Sequence, residues 1–176
     1  MRRLATRART RGESGFGLVE ILIAMTVLAV GILALFAMFE SGIRQLSRAS
    51  SISTASALAD REMESYVAMR YDSIGLPDSL VTSAASPYSS DSAYNSNAAS
   101  RVNVAACGTA PCTTKVPVQT LTGADNRSYR VDTYVTWDSV TGGRNVKRVT
   151  IVVRDGSNTS KTWARTSSTF DASTGQ

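Results

Sequence analysis

The sequence predicts an α+β fold in which one long N-terminal helix packs on a small antiparallel β-sheet. An early apolar run leads into a segment with helical spacing, and three segments in the C-terminal third alternate apolar and polar residues. The chain has 176 residues, of which 43% are hydrophobic. This composition allows one modest folded core in addition to a membrane segment.

Basic residues dominate the first fifteen positions, which hold five arginines and a single glutamate. Most of the net charge of +5 is therefore carried by this leader, since the rest of the chain is nearly neutral. Basic residues that precede an apolar segment predict a cytoplasmic N-terminus and an exported C-terminal part. The sequence contains no histidine, which excludes catalysis by histidine and removes the commonest metal ligand.

The apolar run extends from Phe16 to Phe39 and is interrupted by one charge, Glu20. At about 1.5 Å per residue a helix of this length spans the roughly 30 Å hydrocarbon core of a membrane. It exceeds the apolar region of a cleavable signal peptide, which is about 7–15 residues long. A carboxylate is costly inside a membrane, so Glu20 either lies near the headgroups at the helix N-terminus or has a cationic partner.

Residues 15–25 read "GFGLVEILIAM". This stretch resembles the N-terminal signature of type IV prepilins and pseudopilins, in which a membrane peptidase cuts after the glycine and methylates the new phenylalanine terminus. The resemblance implies cleavage after Gly15, N-methylation of Phe16 and a conspicuous carboxylate at Glu20, the fifth mature residue. The new amine would have a pKa of about 7.7–8.0 and would be largely cationic, so cleavage creates a charge complementary to Glu20.

Within this family the stretch is most similar to V-type minor pilins and to I-type pseudopilins. The similarity covers residues 12–40 closely, although Gly17 stands where the family usually has threonine or serine. It implies a prepilin peptidase, an inner-membrane assembly platform and other pilin subunits of a hetero-oligomeric filament as partners. The protein would lie in the lipid of the cytoplasmic membrane as a single-pass protein and then enter a pilus or cell-surface filament.

Two alternatives to a minor pilin remain open in the sequence. One is a pseudopilin of a type II secretion system, and the other is a membrane-anchored protein whose exported head binds DNA or another ligand. In the filament interpretation Glu20 of an incoming subunit pairs with the Phe16 amine of a subunit already in place and sets the axial register.

The helix is expected to continue beyond the membrane through residues 41–74. Apolar residues recur there at spacings near three and four, mixed with charged residues. Gly75 and Pro77 are expected to end the helix, which would run from Phe16 to about Arg70. The sequence therefore divides into a leader (1–15), a membrane or filament-core helix (16–40) and an amphipathic continuation (41–74).

Residues 75–114 are rich in serine, alanine, asparagine and threonine, and no helical or strand period is evident, which predicts a variable loop region. Its two cysteines, Cys107 and Cys112, have four residues between them. On the exported side of a membrane such a pair predicts a disulfide that closes a small loop, with free thiols as the alternative. Two thiols without histidine make a poor metal site.

Residues 115–176 are expected to form the sheet of an exported globular head. The predicted strands are "SYRVDTYVTWD", "NVKRVTIVVRD" and "KTWARTSSTFD", joined by short turn-rich links as an antiparallel meander. One apolar face would pack on the helix, and the other face would be solvated.

The C-terminal third also contains basic residues, among them Arg144, Arg148 and Arg154, near several aromatic residues. Such a patch is a weak candidate for DNA contact, but interspersed aspartates favour ordinary solvated strand faces. Neither a nucleophile elbow nor a phosphate loop is evident. The sequence therefore predicts a protein that is not an enzyme, with no cofactor and no metal.

Overall fold

The structure is a computed structural model that describes residues 17–91, 100–108, 111–139, 143 and 145–174. The chain divides into two compact units, Met1–Leu46 and Ser47–Gln176. Helix α1, Leu18–Val67, contributes to both units, and each unit is described by itself below.

In the first unit α1 begins just after Gly17, whose carbonyl accepts hydrogen bonds from the amides of Glu20 and Ile21 at 2.9 and 3.3 Å. No charged residue occurs from Ile21 to Phe39. Among the described residues the first ion pair along α1 is the i,i+4 pair of Glu40 and Arg44, 2.6 Å apart. By length and composition α1 is able to cross a membrane.

In the second unit α1 buries one narrow face. Its buried residues follow each other at spacings of four and three, as a helix packed on one side requires; they are Ser51, Ala55, Ala59, Met63 and Tyr66. The helix ends at Val67, before the expected end near Arg70, and a 3-10 turn follows at Tyr71–Ser73. The expected stop residues Gly75 and Pro77 lie beyond that turn.

The sheet has four strands in the order β1-β2-β3-β4, all antiparallel to their neighbours. The three predicted strands are present as β2, β3 and β4, so the predicted α+β layout of a long helix on an antiparallel sheet is confirmed. Their bounds are Ser128–Ser139, Asn145–Asp155 and Thr162–Phe170. The prediction missed β1, Val118–Thr122. This strand has five residues and two apolar side chains, which is too short a stretch to show an alternating pattern.

Both faces of the central strands are covered. Val131, Val135, Val149, Ile151 and Val153 form the face next to α1 and are almost fully buried. The opposite face also buries Asp132, Tyr134, Thr150 and Val152. The expectation that this second face is solvated was therefore wrong.

The cover of the second face comes from the segment that was expected to be a variable loop. It contains two short helices, α2 at Asp78–Val81 and α3 at Pro87–Ser90. The Tyr88 ring meets the Tyr134 ring edge-on, with centroids 5.1 Å apart. Backbone bonds join Leu76 to residues 102 and 104, and the amide of Val102 donates to the carbonyl of Val135 at 3.0 Å. This packing was not predicted because the segment is rich in serine and its few buried side chains follow no periodic apolar pattern.

Candidate functional site

Glu20 lies in the first turn of α1, three residues after Gly17. A carboxylate at this position interacts favourably with the positive end of the helix dipole. Within the described residues no lysine or arginine forms an ion pair with Glu20. The predicted processing residues Gly15 and Phe16 lie outside the described residues.

The apolar side chains of α1 in the first unit are exposed. Leu22 is 55% exposed, Leu33 68% and Phe36 66%, and in the described part of the unit nothing covers them. A continuous apolar surface of this size needs lipid or other apolar helices around it. The first unit therefore has the surface of a membrane-spanning or helix-packing segment.

In the second unit the tip of the β1–β2 hairpin holds the helix. The Arg127 guanidinium donates to the hydroxyls of Ser47 and Ser51, each at 2.9 Å. Tyr129 donates to Asp125 at 2.6 Å, and this hydrogen bond is the main cause that lowers the pKa of the Asp125 carboxyl. These contacts fix the hairpin against the first helical turns of the second unit.

Gly123 permits the hairpin to approach the helix closely. A Cβ at this position would lie 2.5 Å from the Thr54 methyl group and 2.7 Å from the Tyr129 ring. The turn also places Asn126 at a φ of 60°, a left-handed conformation that asparagine tolerates better than most residues.

A buried lysine holds the chain where α1 ends. Lys147 on β3 is 4% exposed, and its ammonium donates to the carbonyls of Tyr71 at 2.7 Å and Ile74 at 2.9 Å. The same nitrogen lies 4.4 Å from the centre of the Tyr71 ring. Burial lowers the pKa of Lys147, since desolvation disfavours the charged form.

The structure joins Cys107 and Cys112 in the predicted disulfide, with Cα atoms 4.7 Å apart. The chain is anchored directly after it, where the Thr113 amide donates to the Ala105 carbonyl at 3.0 Å. Lys115 then pairs with Glu62 on α1 at 2.8 Å, and both side chains are mostly buried. The disulfide loop is thus attached to the helix through the segment that follows it.

The candidate basic patch divides among separate contacts. Arg148 forms an ion pair with Asp138, and Arg154 pairs with Asp132 at 2.8 Å and with Asp91 at 3.0 Å. Arg144 lies outside the described residues. The sequence predicted that Asp132 is a solvated strand residue, and this was wrong. The β2–β3 register sets Arg130 opposite Arg154, and these two arginines surround the buried Asp132 carboxylate.

Comparison with known proteins adds one match. Residues 10–36 match the family model described as the prokaryotic N-terminal methylation motif. No curated protein and no solved structure matches the chain. The matched segment contains Gly15, Phe16 and Glu20 and extends into the apolar part of α1, so the chain carries a prepilin-type N-terminal signal of the type IV pilin and pseudopilin kind.

Proposed function

We propose that this protein is a structural subunit, of the minor pilin kind, of a type IV pilus or a related filament. Prepilin peptidase cuts it after Gly15, Phe16 is N-methylated, and the subunit assembles through α1. The observation that carries the proposal is the methylation motif at residues 10–36, which leads directly into an exposed apolar helix.

The proposed role of Glu20 follows from the charge that cleavage creates. Before cleavage the leader arginines precede Phe16, and after cleavage the Phe16 amine is cationic at neutral pH. In a bundle of parallel staggered helices that amine meets the Glu20 carboxylate of an adjacent subunit in surroundings with little water. A pair that forms at one stagger only would set the axial register.

The rest of the apolar helix contributes packing. A lipid chain is as apolar as a neighbouring helix, so exchange of lipid for protein is driven by close packing rather than by the hydrophobic effect. Glu20 is the single charged residue between Gly17 and Phe39. In this proposal Glu20 therefore determines the axial register of the subunits, and the apolar side chains hold the packed helices together.

The second unit serves as the exported head in this proposal. Its disulfide suits an oxidising compartment outside the cytoplasm. Its core and its ion pairs account for a stable structural domain, and the proposal assigns no chemical reaction to it.

The test is recovery of the protein with filaments. Filaments sheared from cells that express the full chain are purified, and the head is quantified against the major subunit by mass spectrometry. The proposal predicts a substoichiometric but reproducible amount in the filament fraction. Retention of all the protein in the membrane fraction of cells that bear filaments would contradict it.

A further inference from the structure

The part of β2 that extends past β1 is covered by other segments of the same chain. Beyond the end of β1, the amide of Thr133 donates to the Pro117 carbonyl at 2.8 Å. The Val135 amide donates to the Tyr88 hydroxyl at 2.6 Å. By contrast, β4 is the last strand of the sheet, and within the described residues no segment pairs with its outer edge.

The C-terminal half of the open edge lacks the charges that normally oppose strand addition. From Thr166 to Phe170 the strand contains no charge and no proline, whereas exposed edges are usually protected by such residues. A cleft of about 250 Å³ lies beside this stretch and is lined by Val67, Met69, Ser168 and Phe170, among others. A strand edge with a side-chain pocket is the arrangement that binds an added β-strand.

The strand count decides which partner fits. In an antiparallel sheet of four consecutive strands, β1 and β4 run in opposite directions. A second copy that keeps the same orientation therefore presents its β1 antiparallel to β4. A two-fold pairing of β4 with β4 would invert one head relative to the other. The two subunits would then not share one orientation, as the subunits of a filament do.

We propose that β4 of one subunit binds β1 of a second copy and extends the sheet from head to head. The inference rests on the proposed filament function, because a filament holds its subunits in one orientation. β1 suits the role since Val118–Thr122 is uncharged and, in the part of the chain that the structure describes, pairs with β2 alone.

The faces of the two strands fix the register. Thr120 and Thr122 share a face with Arg130 and Ser128, which is the face opposite α1. Ser167 and Thr169 lie on this same face, because they pair with Thr150 and Arg148 of β3. With Leu121 opposite Ser168, Thr120 lies opposite Thr169 and Thr122 opposite Ser167, and such cross-strand hydroxyl pairs are favourable.

The same register directs Leu121 toward the cleft. Leu121 lies on the α1 face of β1 and is only partly buried in its own head. In the paired state it lies beside Ser168, one of the residues that line the cleft. Because the contact joins different surfaces of the two copies, it propagates in one direction, and the subunits concerned enter the filament next to one another.

The test uses cells that express two full-length versions of the chain, one with Thr120→Cys and the other with Thr169→Cys. After mild oxidation, filaments are sheared and separated on a non-reducing gel. The pairing predicts a covalent dimer at least about five-fold more abundant than with Thr114→Cys in place of Thr120→Cys, a matched exposed control upstream of β1. The wild-type chain gives the background from Cys107 and Cys112.

Two negative results are distinguishable. Filaments that contain both versions without an enriched dimer would overturn the pairing and leave the filament function standing. Absence of both versions from the filaments would overturn the proposed function, and the pairing with it. Addition of Ser167→Lys to the Thr169→Cys version is predicted to reduce the dimer by about ten-fold, because a lysine at the edge opposes strand addition.

Discussion

Arg154 Nε donates to Asp132 Oδ2 at 2.8 Å on the sheet face opposite α1. Asp132 is 2% exposed and also accepts from Arg130 Nε at 2.7 Å. Arg154 reaches beyond the sheet to Asp91, which follows α3, at 3.0 Å. This pair therefore joins the strands to the segment that covers them.

Replacement of Asp132 by alanine is predicted to lower the free energy of unfolding by about 3 kcal/mol, because it leaves two poorly solvated guanidinium groups without their shared carboxylate. Urea unfolding of the full-length protein in detergent, followed by tryptophan fluorescence, measures the change. Asp138→Ala is the control, since its pair with Arg148 is more exposed and should contribute less than about 1 kcal/mol. Equal effects of the two substitutions would contradict this account.

Lys147 predicts a pH dependence at alkaline pH. Burial holds its folded pKa below the ordinary value of 10.5. Between the folded pKa and 10.5 the unfolded chain binds more protons than the folded chain, so stability rises with pH in that window. The stability of the wild type relative to Lys147→Met is expected to increase across it and to be constant below it. A difference that falls as pH rises would show that the sign is wrong.

The disulfide is predicted to stabilise its own loop more than the head. The double substitution Cys107→Ser and Cys112→Ser should cost about 2 kcal/mol, since the closed loop is short. Hydrogen exchange should quicken in residues 105–113 and stay slow in β2 and β3, which have their own backbone pairing. Loss of protection throughout the sheet would mean that the bridge holds the whole head together.

Glu20→Ala is predicted to leave cleavage largely intact and to reduce recovery in filaments by at least about ten-fold, because the new amine loses its partner. Glu40→Ala is the matched control on the same helix, where the carboxylate pairs with Arg44 on an exposed surface. Immunoblots of membrane and sheared fractions measure both. Normal incorporation of Glu20→Ala would remove the proposed role of that residue.

The parts of the fold with a strong period could be predicted from the sequence. The long helix follows from the apolar run and its helical continuation, and β2 and β3 follow from alternating β-branched and aromatic residues. β1 could not, because Val118–Thr122 becomes a strand through pairing with β2. The cover of the second face also depends on tertiary contacts, such as that of Tyr88 with Tyr134.

The N-terminal methylation motif was predictable for a different reason. "GFGLVEILIAM" places its chemistry in consecutive residues, so a linear pattern contains the whole signal. The contacts within the head join residues far apart in the chain, such as Arg127 with Ser47 and Lys147 with Tyr71. No local pattern reports which of these charges will be buried and paired.

The most direct measurement of the central claim is the intact mass and terminal sequence of the protein extracted from membranes of cells with an active prepilin peptidase. The account predicts a chain that begins at Phe16 and carries one additional methyl group on its terminal amine. A chain that still begins at Met1 or Arg2 would contradict prepilin processing, and the protein would then be a membrane-anchored protein with Glu20 left unexplained.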